Sequence, residues 1–328
     1  MFKQKILRSA MRFSLACAVA AMLIPGTAAS AAEWPERPVR LVVPFAPGGS
    51  NDVIARRLAD ALSKRTGQSF VVENRAGAGG VVGANYVANA APDGYTFLFI
   101  SGSLATSAAV QKTPYDARTA FDAVSRVASA PFVVITREGF PAKDINGLLD
   151  YAKKNPGKIN FGSAGLGDSS QMATELLANK AGVKMQTVGY KGIAPAQMDL
   201  VAGRLDMIIT TMASIRGTQT DELPKLAFTG EKREPDFPDI PTVKEETGLD
   251  YVVNVWWGVF GPAGVDKTAR DKLNAEIETV ISTPEFAEFL DSVGARPAPS
   301  TPEELQALLV SDVDRWIETA ESAGIRPE

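Results

Sequence analysis

The sequence predicts an α/β protein with mainly parallel sheets that carry helices on both faces. Three observations predict it. Apolar runs of strand length alternate with amphipathic stretches of helical spacing. Glycine- and serine-rich turns stand at the strand-to-helix joints. The 328 residues are too many for one ordinary domain and suit about two. At 45% apolar and 22% charged, the composition is that of a globular chain rather than a disordered one.

The elements follow in order. Residues 40–44 read as a buried strand. A helix starts near Ser50 or Asn51, with Asp52 in its first turn and Ile54, Leu58 and Leu62 on one face. Residues 69–73 form a second strand, and the glycines at 77–80 lead into a helix to Ala90. Pro92, Asp93 and Gly94 make a turn before a third strand at 95–100, and residues 101–103 read as a small-residue loop. Residues 131–137 look like a strand entering a new region. A helix at 145–154 is closed by Asn155, Pro156 and Gly157.

A strand at 158–161 then runs into a glycine-serine loop and a helix to Ala181. Asp168 and Gln171 have capping-box spacing there, and Gly182 stops the helix. Pro195 suits the first turn of a short helix that stops at Gly203. Residues 205–210 and 251–260 read as strands. The tail is helical: Asp266 caps one helix, Thr283 and Pro284 open a second, and Thr301 with Glu304 forms a capping box for the last.

The N-terminus has another purpose. Lys3, Lys5, Arg8 and Arg12 precede an apolar run at 13–24 and a small-x-small site at Ala29–Ala31. That is the pattern of a secretory signal peptide cleaved near Ala31, and the run is short for a membrane span. Cys17 lies inside this run, so the mature chain would hold no cysteine, and the sequence has no histidine. First-choice zinc and copper ligands are therefore missing, and no cofactor or metal is expected. Losing the four cations takes the net charge from −4 to −8. An acidic exported chain is a poor partner for nucleic acid or an anionic membrane.

Catalysis finds little support. There is no Ser-x-x-Lys, no Gly-x-Ser-x-Gly and no histidine base, so nucleophilic hydrolysis is not expected. The Gly77 loop fails the dinucleotide pattern, and no P-loop is present. A two-carboxylate hydrolase stays open from the residues alone.

Two loops carry the binding argument. Gly48-Gly49-Ser50 and the stretch from Ser163 to Ser169 each lie between a strand and a helix. Ligands bind outside the carboxyl ends of parallel strands, where helix N-termini offer N–H donors and a favourable dipole to an anion. The hydroxyls of Ser50, Ser163 and Ser169 could add donors, and two such loops could hold the two ends of a dicarboxylate. The plainer reading, ordinary caps satisfied by Ser50, Asn51 or Asp168, is open on this evidence.

A series of motifs adds to this. The runs WPERPVRLVVPFAPGG at 34–49, ENRAGAGG at 73–80, APDGY at 91–95, NFGSAG at 160–165, YKGIAPA at 190–196, PDIPTV at 238–243 and GVFGPAG at 258–264 resemble, in order and spacing, the Bug family of tripartite tricarboxylate transporter receptors. The resemblance runs from about residue 33 to the C-terminus. It implies a two-domain type II periplasmic binding protein of Venus-flytrap form, a monomer in the periplasm. Residues 32–128 plus 255–328 would form one α/β domain and 129–254 the other. It implies no enzyme activity, but capture of a small organic carboxylate and delivery to a two-component membrane permease. A sensor or scavenger of the same fold, coupled to signalling, is the alternative.

The family's ligand loops carry over onto Phe45, Ala46, Gly48, Gly49, Ser50 and Asn51 in the first domain. In the second they carry over onto Ser163, Ala164, Gly165, Gly167, Asp168 and Ser169. Residues near Ser101–Ser103 and Tyr190–Ala194, with Thr210, are expected to line the same cleft. Thr210 stands where many relatives have Asp, which mildly favours a plain organic acid over an amino acid. Asp168 stands where a small residue is commoner, and it is expected to cap its helix from outside the cleft. Trp256 and Trp257 either shape the ligand's remainder or pack in the core or hinge.

Overall fold

The structure, a computed structural model, describes residues 34–322 and 325. The signal peptide expected at 1–31 lies outside the described residues. Residues 34–36 hold no helix or strand, and the chain from Arg37 onward forms one compact unit.

Strand β1 (Val39–Val43) is an apolar run with one exposed position, Arg40. Helix α1 (Ser50–Thr66) follows, with Ile54, Leu58 and Leu62 wholly buried and Gly67 closing it in the left-handed conformation at φ 71°. Then come β2 (Phe70–Asn74), α2 (Val81–Ala88), β3 (Thr96–Ser101), α3 (Ser103–Val110) and β4 (Phe121–Pro131). The segment read as a loop at 101–103 is instead the joint itself. Ser101 ends β3, and Ser103 begins α3. Strand β4 escapes the sequence reading because it is built of alanine and serine between scattered large residues, yet most of it is buried.

The middle of the chain gives β5 (Val133–Thr136), α4 (Ile145–Lys154), β6 (Asn160–Ser163), α5 (Ser169–Ala181), β7 (Gln186–Gly189), α6 (Ile193–Val201), β8 (Met207–Thr210), α7 (Met212–Ile215), β9 (Lys225–Phe228) and α8 (Val243–Thr247). The last part gives β10 (Asn254–Pro262), α9 (Lys267–Ile281), α10 (Pro284–Ser292), β11 (Arg296–Pro297) and α11 (Pro302–Ser322). Capping follows the expected chemistry here. Asp266 accepts from Ala269 N–H, and Thr301 and Glu304 make both bonds of the box, at 2.9 and 3.1 Å.

Two sheets result. The first has the order β11-β4-β10-β3-β1-β2, with β2, β1 and β3 parallel and β10 antiparallel to both β3 and β4. The second has the order β7-β6-β8-β5-β9, with β7, β6 and β8 parallel and β5 antiparallel to its neighbours. The chain leaves the first sheet at Pro131, enters the second at Val133 and returns to the first at Asn254. A buried hydroxyl joins the two passages. Thr229 Oγ1 accepts from Phe132 N–H at 2.8 Å and donates to Val253 O at 2.6 Å. The parallel strands of each sheet aim their carboxyl ends at the space between the sheets.

Candidate functional site

The loop from Pro44 to Gly49 turns the chain from β1 into α1. Gly48 adopts φ 93°, a left-handed conformation that a side chain would strain. Asp52, in the first turn of α1, fixes the loop. Its carboxylate accepts from Gly48 N–H at 3.1 Å, Arg56 Nε at 3.0 Å and Asn74 Nδ2 at 2.9 Å. Asn74 Nδ2 also reaches Phe45 O at 3.1 Å. Burial pushes the Asp52 carboxyl up, but the hydrogen bonds from Arg56, Asn74 and Gly48, with the Arg56 charge, outweigh it and hold the group below its ordinary range.

The expected cap by Ser50 or Asn51 is not made. The N-cap is Gly49, which brings no side chain. Ser50 N–H donates instead to Ser214 Oγ, at 3.0 Å, from beyond the second sheet. Asp52 and Val53 turn back to Gly49 O. Among the described residues Asn51 N–H has no acceptor, and Asn51 Oδ1 is buried without a partner. The open N–H at this helix start suits an anionic group, whereas the orphaned Oδ1 is an acceptor and calls for a donor such as a hydroxyl or a water.

The second loop differs. Asp168 caps α5, accepting from Ser170 N–H (2.9 Å), Gln171 N–H (3.1 Å), Ser170 Oγ (2.9 Å) and Ala164 N–H (3.1 Å). Gln171 Oε1 takes Gly167 N–H at 2.7 Å, one residue beyond the N-cap N–H that a standard capping box would use. The expectation that Asp168 caps from outside is corrected. Reaching back to Ala164, the carboxylate folds the loop over itself, and Asp168 is only 4% exposed. Burial pushes its carboxyl above the ordinary range, against those four hydrogen bonds.

Between the sheets lies a small cavity of about 40 Å³. Of the expected residues, Phe45, Gly49, Ser50, Asn51 and Ser101 line it from the first sheet's side. Ala164, Asp168, Ser169, Ile193 and Thr210 line it from the second. Asp168 is the one ionisable side chain in the lining, and no lysine or arginine is present there. Among the described residues no cluster of three or more His, Cys, Asp or Glu could hold a metal.

The other expected residues stand elsewhere. Ser103 lies one layer behind, bonded to Ser101 Oγ at 2.9 Å and Ser169 Oγ at 3.1 Å. Ser163 accepts from Gly165 N–H and supports the loop from beneath. Ala46, Gly48, Gly165 and Gly167 form close contacts between the two halves. Ala46 N–H donates to Lys191 O at 2.9 Å. A Cβ on Gly48 would come 3.3 Å from Ala194 Cβ, and one on Gly165 would come 2.7 Å from Gly79 N. Gly167 presses on Ser107 and Val110 in the same way. Tyr190 turns from the cavity to donate to Asp199 Oδ2 at 2.7 Å, and burial with that bond pushes its hydroxyl up to about 12. Neither tryptophan lines the cavity. Trp257 is wholly buried, and Trp256 Nε1 donates to Asp312 Oδ2 at 2.7 Å.

The model of the tripartite tricarboxylate transporter family receptor matches residues 54–325. The chain belongs to this family. It is 40% identical over 286 residues to the "UPF0065 protein in tcbD-tcbE intergenic region" of Pseudomonas sp. (strain P51), covering 86% of this chain and 85% of that one. The periplasmic binding protein BugD superposes with a TM-score of 0.86 at 35% identity, covering 90% of this chain and all of that one. R. palustris Rpa4515 with adipate gives the same TM-score at 34% identity and the same coverage.

In this family member the fold is the two-domain α/β form of those binding proteins. The cavity sits where the carboxyl ends of β1, β3, β6 and β8 converge, as expected for α/β sheets. Five lining residues escaped the sequence reading: Phe132, Ser170, Thr211, Ser214 and Val255. Ser170 and Thr211 adjoin residues that were expected, and Phe132 and Val255 flank the passages between the sheets. Ser214 carries no local signal, because it reaches the site through the packing of α7 on α1.

Proposed function

We propose that this chain is a periplasmic solute-binding receptor. It captures a small organic carboxylate between its two domains and delivers it to a tripartite membrane permease. It catalyses no reaction. The domains divide near the passages at 129 and 254, so that closure about them encloses the ligand. The observation that carries the reading is the start of α1. Among the described residues Asn51 N–H has no acceptor, in a cavity lined mainly by hydroxyls and apolar walls. Hydrogen bonds to a charged group net roughly 1.5–3 kcal/mol each, so a few suffice for micromolar capture at about −8 kcal/mol once association costs are met.

The test is a thermal-shift panel. Mature protein, unfolded and refolded to strip any co-purified ligand, is screened against mono-, di- and tricarboxylates, aromatic acids and amino acids. A true ligand at a hundred times its Kd adds about 2.7 kcal/mol and raises Tm by several degrees. Silence across the panel contradicts the receptor reading. Delivery is tested apart from capture: a deletion strain should lose uptake of the acid found.

A further inference from the structure

Both domains point a helix N-terminus at the cavity, but only one is open. At α5 the donors are taken. Ala164, Ser170 and Gln171 N–H and the Ser170 hydroxyl all bind the Asp168 carboxylate, buried at 4% exposure. These are the donors that a ligand carboxylate would use there. At α1 the N-cap Gly49 brings no side chain, and Asn51 keeps an open N–H. No lysine or arginine in the lining offsets a second negative charge. The remaining walls include Phe45, Phe132, Ile193 and Val255, which suit an uncharged remainder.

We propose that Asp168 supplies from the protein the second carboxylate that a dicarboxylate would bring, and so makes this cavity select small monocarboxylates. The ligand's carboxylate docks at Asn51, and its uncharged end faces Asp168 and the apolar walls. The inference rests on the receptor reading above and gives Asp168 the role of specificity determinant. It departs from the arrangement in which two loops grip the two ends of a dicarboxylate. Across a cavity this small, a second ligand carboxylate would lie a few ångströms from Asp168. At an effective dielectric of about 20, that repulsion is worth on the order of a hundredfold in affinity.

The test is calorimetric titration of refolded mature protein with matched acids: propionate and succinate, hexanoate and adipate, benzoate and phthalate. Three proteins are compared: wild type, Asp168→Ser, which keeps a good N-cap, and Asp168→Asn, which keeps the shape. Wild type is expected to bind one monocarboxylate on the order of a hundredfold more tightly than its dicarboxylate counterpart. Asp168→Ser is expected to gain dicarboxylate affinity by a similar factor. If a variant does not fold, the wild-type ratio alone decides. Wild type binding a dicarboxylate as tightly as its monocarboxylate counterpart overturns the role of Asp168 and leaves the receptor reading standing. Folded wild type that binds none of the six overturns both.

Discussion

Replacing Gly79 by alanine sets a methyl group against the backbone of the opposite domain. Gly79 has φ 59°, and a Cβ built there falls 1.9 Å from Leu166 O and 3.0 Å from Leu166 C. Ordinary contact begins at 3.4 Å, so the domains must part by about 1.5 Å at this point. Neither partner is the end of a flexible side chain. The parting also stretches Gln111 Nε2 to Leu166 O, now 2.6 Å, and Ser107 Oγ to Gly167 O, now 3.2 Å. Left-handed backbone costs alanine roughly 1–2 kcal/mol in any setting. Gly139→Ala measures that cost alone, because Gly139 has φ 66° and nothing within 4 Å. The excess at Gly79 is the clash, about 1–3 kcal/mol by analogy with overpacked cores. Under the closure proposed above, this cost falls on the closed form only. Gly79→Ala should therefore bind the acid found in the panel roughly ten- to a hundredfold more weakly than Gly139→Ala. It should also show a larger radius of gyration by small-angle scattering with ligand present. Equal affinity and equal radius in the two variants would refute the reasoning.

Three further outcomes follow. Asp52→Asn should cost about 1–3 kcal/mol at neutral pH, because it weakens the charged contacts to Gly48, Arg56 and Asn74. Since the folded carboxyl titrates below its ordinary 3.8, that stability is present above about pH 4 and lost as pH falls further. Urea melts of both proteins should converge only in acid. Thr229→Val should lower stability by about 1–3 kcal/mol, because it leaves Phe132 N–H without its buried acceptor; chemical denaturation measures this. Tyr190→Phe should leave ligand affinity within about twofold of wild type by calorimetry, because its hydroxyl faces Asp199 and not the cavity.

Much of the fold is legible in local chemistry. Helix α4 shows its apolar spacing and its stop, and α11 carries both halves of its capping box. Strand β1 is an apolar run broken only by Arg40. Strand β4 is not legible, because its burial comes from lying between β10 and β11 rather than from large apolar side chains. The first cavity loop is legible because two glycines stand before an amphipathic helix. The direction of Asp168 is not. Capping-box spacing predicts a cap, but only the fold of the loop back to Ala164 decides that the carboxylate faces inward. Ser214 shows the limit of local reading, because its partner Ser50 lies 164 residues away.

The most direct measurement is a crystal structure of the refolded mature protein with the acid that scores in the panel. A carboxylate oxygen within about 3.2 Å of Asn51 N–H, between the two sheets, is the result expected. An acid bound elsewhere, for example in the surface groove beside Arg118 and Arg270, with the inter-sheet cavity unchanged, would contradict it.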